Sequence, residues 1–464
     1  MPLAATDPSA ALTVLLNQIE QRFSGRLSTG EAVRRQHANA VTFLPAQLPD
    51  AVFWPEKTEE VVEIVRLSSA SRIPIIAFGA GTSLEGHVNA PLGGLCLDFS
   101  RMNRVLAVRP EDLDCTVEAG VTRLRLNQEL RDSGLFFPVD PGAEDATLGG
   151  MAATRASGTT TVRYGSMREN VVNLTAVLAS GDIVKTAQRA RKSSAGYDLT
   201  RLLVGSEGTL GLITELTLKL YGVPESVLAA VAVFETLEGA CRAAIGAIQS
   251  GLGLARIELL DAAQIKAVNA YSKLELAETP TLFLEFHGAG PACLNDLETF
   301  RGLAADEGLA ELKSASDEAG RRTLWKARHD ALWAVKYLGA GREVVVTDVA
   351  VPLSNLAAAV RETADDVVRT GLLAPIVGHV GDGNFHAIVV FDAADTTECA
   401  RVEAFLDRLV VRALAYDGTA TGEHGIGQGK RRHMQQEHGA GLGVMRAIKH
   451  ALDPLNILNP SKII

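Results

Sequence analysis

Along the chain, apolar positions alternate between helical and extended spacing in a way that divides it into segments. Residues 12–23 form one amphipathic stretch, followed by an alanine-rich polar approach that leads into the first domain. From residue 52 the pattern sharpens: Thr58, Glu59 and Glu60 cap a helical run carrying Val61, Val62, Ile64 and Val65, which Pro74 ends. Residues 75–78 then read as a short buried strand entering a glycine turn. A second helix is expected over 122–133, and the prolines and glycine of 138–142 forbid regular structure there. Strands follow at 171–178 and 210–220, with Gly181 and Asp182 turning before Ile183.

The strands stop around residues 221–224, and a new alternation begins. It predicts strands at 227–234, 257–260 and 281–287 with a helix at 237–250 between the first two. A helix over 321–338, a strand over 344–351, a helix over 356–370 and a strand rising into His379 complete it. A chain of 464 residues exceeds the roughly 250–300 that one core supports, so two or more domains are expected. The order predicts an α+β protein: a helical lead (1–45), a strand-rich first domain (46–223), a second α/β domain (224–420) and a C-terminal segment (421–464).

Net charge −10 without a basic run removes the electrostatic footprint of nucleic-acid binding. The longest apolar run, residues 227–234, is far short of the about 20 residues a membrane span needs, so membrane contact is at most peripheral. Cys96, Cys115, Cys241, Cys293 and Cys399 are widely spaced with no CxxC pair, which reads as reduced thiols. With no basic lead into an apolar signal core, a cytoplasmic location is expected, at most peripheral to the inner membrane.

Four glycine-rich segments fall in the first domain: 79–83 after the strand, 141–151, 165–166 and 205–211. Small residues let backbone N–H groups approach a phosphate, although neither the GxGxxG spacing of a dinucleotide fold nor the lysine of a P-loop is present. The histidines suggest a second site. In HVGDGNFH, Asp382 and Gly383 favour a tight reversal that returns His386 beside His379. In GEHGIG, flanking glycines let Glu423 and His424 enter a crowded centre. His379, His386 and Glu423 make a two-histidine, one-carboxylate set that suits Zn, Mn or Fe, against the plainer reading of two hydrogen-bonded core histidines.

The wording PIIAFGAGTSLEGH, VDPGAEDATLGGMAAT, YGSMRENVVNLTAVLASGDIV and GSEGTLGLITELTL resembles the successive FAD-contacting segments of the vanillyl-alcohol-oxidase, or p-cresol-methylhydroxylase (PCMH), type of flavoprotein. HVGDGNFH, GTATGEHGIGQGK and the tail LDPLNILNPSKII resemble its FAD-linked D-lactate dehydrogenase and glycolate oxidase branch. The resemblance spans about residues 45–464. It implies a two-subdomain PCMH-type FAD-binding domain, a substrate (cap) domain with an antiparallel sheet, and a C-terminal segment returning to the flavin.

By that resemblance Gly79, Ala80, Gly81, Thr82 and Ser83 wrap the FAD pyrophosphate. Pro141, Gly142, Thr147, Gly149 and Gly150 lie along the isoalloxazine and ribityl chain, and Arg168, Asn170, Glu207, Gly208 and Ile213 match positions at the adenine half or the ring edge. Some relatives tether FAD through a histidine beside the first loop. The context of His87 differs from theirs, so non-covalent FAD is expected.

Trp325-Lys326-Ala327-Arg328 resembles the arginine-bearing helix that meets the substrate carboxylate. His424, next to ligand Glu423, is the expected general base, and Asn384 a further substrate contact. The implied reaction is oxidation of D-lactate, or a similar D-2-hydroxy acid, to the 2-oxo acid, with hydride passing to flavin N5. A glycolate oxidase FAD subunit and a D-2-hydroxyglutarate dehydrogenase-like enzyme are the alternatives. The implied acceptor is cytochrome c, a quinone or an electron-transfer flavoprotein, and a homodimer is allowed. Two rivals stand beside this reading: an oxidase that passes electrons to oxygen and produces peroxide, and a non-catalytic FAD-binding subunit, against which the intact histidine motifs argue.

Overall fold

The computed structural model describes residues 8–38 and 41–464. It divides into two compact units. The first comprises residues up to Ser157, Ser166–Gly222 and Glu423–Ile464; the second comprises Gly158–Gly165 and Val223–Gly422. Of the expected N-terminal lead, the helix Pro8–Arg22 is present, while residues 1–7 and 39–40 lie outside the described residues.

The first unit holds two main sheets. In one, Ile75–Phe78, Leu95–Asp98 and Ala51–Phe53 run parallel, with the two-residue strand Leu27–Ser28 antiparallel at the edge. In the other, five strands are all antiparallel, and Leu212–Lys219 lies between Asp114–Glu118 and Val171–Val177. One apolar core joins the two sheets, and Ile457 and Leu458 of the returning C-terminal segment are buried in it. The helix Thr58–Ser71 starts one residue earlier than its sequence suggests, because Lys57 holds the N-cap position and Thr58 is already helical. It stops at Arg72, whose left-handed backbone (φ 54°) closes it before Pro74. The second expected helix is shorter, Arg123–Glu129, with Thr122 as its N-cap acceptor and a 3-10 turn after it.

The second unit is built on one antiparallel sheet of eight strands. Its strands alternate sides in the ordinary period of two. Leu259, Phe385, Ala387 and Val389 enter one apolar cluster, and Leu260, Val377, Ile388 and Val390 enter the other with Trp325 and Ala327. The continuous helix expected over 321–338 is two helices, Glu318–His329 and Ala331–Leu338. The break falls at Asp330, whose carboxylate accepts from Ser272 and Lys326. The strand expected over 344–351 is also two pieces, Glu343–Val346 and Val349–Ala350, interrupted at Thr347 and Asp348. Among the described residues no helix is long and apolar enough to cross a membrane.

Candidate active site: a histidine hairpin and a glycine-lined trough

The motif HVGDGNFH folds as an antiparallel hairpin in the second unit, with Ile376–His379 paired to Asn384–Phe391. Asp382 N–H closes on the His379 carbonyl at 3.0 Å, and Gly383 takes φ 76°, where a side chain would also strike the Val351 carbonyl. Register then does the rest. His379 opposes Asn384 and Val377 opposes His386, so the two histidines lie diagonally on one face. Their ring centroids are 5.5 Å apart, edge to face.

Each ring is fixed through Nδ1. His379 Nδ1 lies 2.7 Å from Glu258 Oε1, and His386 Nδ1 lies 2.7 Å from the Thr347 carbonyl oxygen. Both partners are acceptors, so each Nδ1 donates, and each ring when neutral carries its lone pair on Nε2, as metal-ligating histidines require. The interruption at Thr347 therefore has a use, since its carbonyl turns to His386. Ligand atoms of His379, His386 and Glu423 lie within 4.8 Å of one another. Glu423 is bonded directly to Gly422, the last residue of the second unit. At Gly422 a Cβ would stand 2.3 Å from Asn384 Nδ2, so that position has no room for a side chain. Two imidazoles and one carboxylate at this spacing fit a divalent cation.

Glu258, which the motifs did not reveal, joins the hairpin to Arg328. Its second oxygen accepts from Arg328 Nε at 2.7 Å, and the carboxylate is buried. Burial pushes its pKa up, but the facing His379 and Arg328, by charge and hydrogen bonding, outweigh this and hold it below the ordinary carboxylate range. A signal for it exists: in LARIELL, Glu258 is a carboxylate between Ile257 and Leu259 in a strand whose one other polar residue is the half-buried Arg256. Arg328 is thus committed through Nε, and its η nitrogens have no protein partner among the described residues.

Asn384 donates Nδ2 to Asp348 Oδ1 and to the Val349 carbonyl, both at 2.7 Å, so only its Oδ1 is left to meet a substrate. His424 is half-buried beside Glu423.

In the first unit the glycine segments 79–83, 141–151 and 205–211 converge at the end of the Ile75–Phe78 strand, whereas Gly165 belongs to the second unit. A Cβ on Gly79 would fall 2.2 Å from Thr147 Oγ1, and Gly208 faces Ala77 and Asn459. Gly81 has φ 68° with the Phe78 ring beneath it. Among the described residues the backbone N–H groups of Ala80, Gly81 and Thr82 donate to no protein acceptor, which is what a diphosphate cradle needs. Thr147 caps the helix Leu148–Thr154 by accepting from Gly150 N–H at 3.3 Å, and Gly149 N–H goes to the Ala119 carbonyl at 2.8 Å. Those two glycines serve close packing through their backbone. Pro141 and Gly142 lie in the exposed to half-buried loop before them, Asn170 and Ile213 are buried, and Arg168 is exposed.

Glu207, in left-handed backbone at φ 52°, is buried and accepts the N–H groups of Ile426 at 2.7 Å and Gly427 at 2.8 Å, so its carboxylate clasps the returning segment. His87 Nε2 lies 3.3 Å from its Oε2. Burial raises this carboxyl, and His87 and the two amides more than reverse the effect, leaving it lowered.

Residues 223–463 match the family described as "FAD linked oxidases, C-terminal domain", more than half of the chain, and residues 49–187 match an FAD binding domain. The chain belongs to the FAD-linked oxidase family. This FAD-linked oxidoreductase is 49% identical over 442 residues to a probable mitochondrial D-lactate dehydrogenase of Danio rerio, covering 94% of this chain and 89% of that one. It is 42% identical to the mitochondrial D-lactate dehydrogenase [cytochrome] of Arabidopsis thaliana, with 97% and 80% covered. It is 34% identical to the glycolate oxidase subunit GlcD of Bacillus subtilis, with 90% and 89% covered.

Among solved structures, p-cresol methylhydroxylase with substrate bound superposes with TM-score 0.81 at 15% identity, covering 100% of this chain and 98% of that one, which bears out the PCMH-type fold. The cytoplasmic location expected from the sequence is overturned, because the D-lactate dehydrogenases of Danio, Arabidopsis, Saccharomyces and Kluyveromyces are all mitochondrial. Unpaired cysteines require only a compartment that keeps thiols reduced, and that does not single out the cytoplasm.

Proposed function

We propose that this oxidoreductase converts D-lactate to pyruvate and passes the electrons to a cytochrome-type acceptor. The observation that carries the reading is 41–49% identity to four D-lactate dehydrogenases over 90–97% of the chain. When bound, FAD supplies the hydride acceptor and a divalent ion, zinc or manganese with iron third, supplies a Lewis acid at the hydroxyl. His379 and His386, through Nε2, and Glu423 would hold that ion.

Arg328 receives the substrate carboxylate on its η nitrogens, since Glu258 holds Nε and prevents the fork from turning. His424 takes the hydroxyl proton, and Asn384 accepts through Oδ1. FAD is held without a covalent bond: the amides of Ala80, Gly81 and Thr82 take the diphosphate, and His87 is kept beside Glu207. Glycolate is the second reading, favoured by the GlcD relative.

Anaerobic stopped-flow bleaching of the flavin against D- and L-lactate, glycolate and D-2-hydroxyglutarate tests the proposal. D-lactate is expected to reduce the flavin fastest and L-lactate not at all. Faster reduction by glycolate would replace the first reading with the second.

A further inference from the structure

The two histidines of the trio each have a protein partner behind them, Glu258 and the Thr347 carbonyl. Glu423 has one too. Ser157 Oγ donates to Glu423 Oε2 at 2.6 Å, a short hydrogen bond to an ionised acceptor. A carboxylate that lends itself to a metal can bind through one oxygen or both, and it can rotate about its last torsion. A hydroxyl held on one oxygen restrains that rotation and competes with a cation for that oxygen. We propose that Ser157 is a positioning residue that fixes Glu423 as a single-oxygen ligand of a divalent cation. The proposal rests on the metal reading given above.

Ser157 is itself held on both sides. The helix Leu148–Thr154 ends in Arg155 at φ 57°, and Ala156 N–H returns to the Met151 carbonyl at 2.8 Å. On the far side Gly158 N–H donates to Thr161 Oγ1 at 2.9 Å. The following residues are pinned within the second unit. A Cβ on Gly381, in the turn of the histidine hairpin, would stand 2.6 Å from an Ile257 methyl and 2.7 Å from a Val162 methyl, so both pack on the bare turn.

Tyr164 completes the anchorage through a buried relay. His287 Nε2 lies 2.8 Å from Glu285 Oε1 and donates to it, and His287 Nδ1 lies 2.7 Å from the Tyr164 hydroxyl. Ser157 is half-buried, and the residues on either side of it are each hydrogen-bonded.

Loss of an outer partner of a metal ligand typically costs roughly 10–100-fold in metal affinity. The test uses the full-length, FAD-loaded protein with Zn2+ alone and Mn2+ alone as probes, in competition with a chromogenic chelator. Ser157→Ala is expected to bind either ion roughly 10–100-fold more weakly with an unchanged flavin spectrum. Ser157→Thr, which keeps the hydroxyl, is expected to restore affinity to near the wild-type value. Wild-type affinity in Ser157→Ala would overturn the proposal, as would loss of FAD in parallel with loss of metal, since that assigns the serine to general packing. A wild-type protein that takes up neither ion overturns the metal reading itself, an outcome distinct from either.

Discussion

The two candidate binding regions are built by opposite means. In the first, the trough is made of backbone: unengaged amides at Ala80, Gly81 and Thr82, and glycines where a single added carbon would meet Thr147 or Phe78. In the second, the site is made of buried side chains that hold one another, with Glu258 between His379 and Arg328 and Thr347 behind His386. A cofactor retained for many turnovers can be gripped by dipoles that never change charge. A substrate that must be recognised, deprotonated and released needs ionisable groups, and in a buried place each of these needs a partner.

This contrast predicts that damage to the side-chain site alters chemistry while sparing the flavin. The largest effect is expected at His424. Replacing it by Ala should slow flavin reduction by roughly 10²–10⁴-fold at unchanged metal content, the share a positioned base supplies, as single-turnover kinetics beside metal analysis would read. Next comes Glu258→Gln, which keeps the volume but leaves Arg328 and His379 facing a neutral amide. Metal affinity is expected to fall roughly 10–100-fold, and the thermal midpoint with it, since breaking a buried ion pair costs about 3–5 kcal/mol. Unaltered metal binding in that variant would show that Glu258 serves only Arg328.

Smaller effects separate the two modes of binding further. Arg328→Lys keeps the charge but loses the planar fork, so KM for D-lactate should rise about tenfold while FAD content stays normal. Gly81→Ala works in the other unit: forcing a side chain into left-handed backbone costs about 1 kcal/mol, so FAD should dissociate about fivefold more readily with metal affinity unchanged. Metal loss in Gly81→Ala would break the separation between the two modes.

How much of this was visible in the sequence follows the same division. Glycine runs are local, so segments 79–83, 141–151 and 205–211 could be read as one candidate trough, and the candidate ligands from HVGDGNFH and GEHG. The groups that orient those ligands could not, because Glu258 stands 121 residues from His379 and Ser157 stands 266 from Glu423. No periodicity links such pairs; only the fold does. The same limit explains the helix that breaks at Asp330. The apolar spacing runs on through it, while Ser272, 58 residues away, engages the carboxylate at the break. Glu207 shows the same limit: the resemblance matched it to a cofactor-contacting position, and the fold adds that its carboxylate accepts two amides of the returning segment.

The most direct test of the account is metal analysis paired with anaerobic flavin reduction by D-lactate, on the wild type and on His379→Ala, His386→Ala and Glu423→Ala. The wild type is expected to carry one divalent ion per FAD, and each variant to lose most of the ion and nearly all of the reduction rate while keeping its flavin spectrum. A wild-type protein freed of metal that still reduces its flavin at full rate would contradict the account.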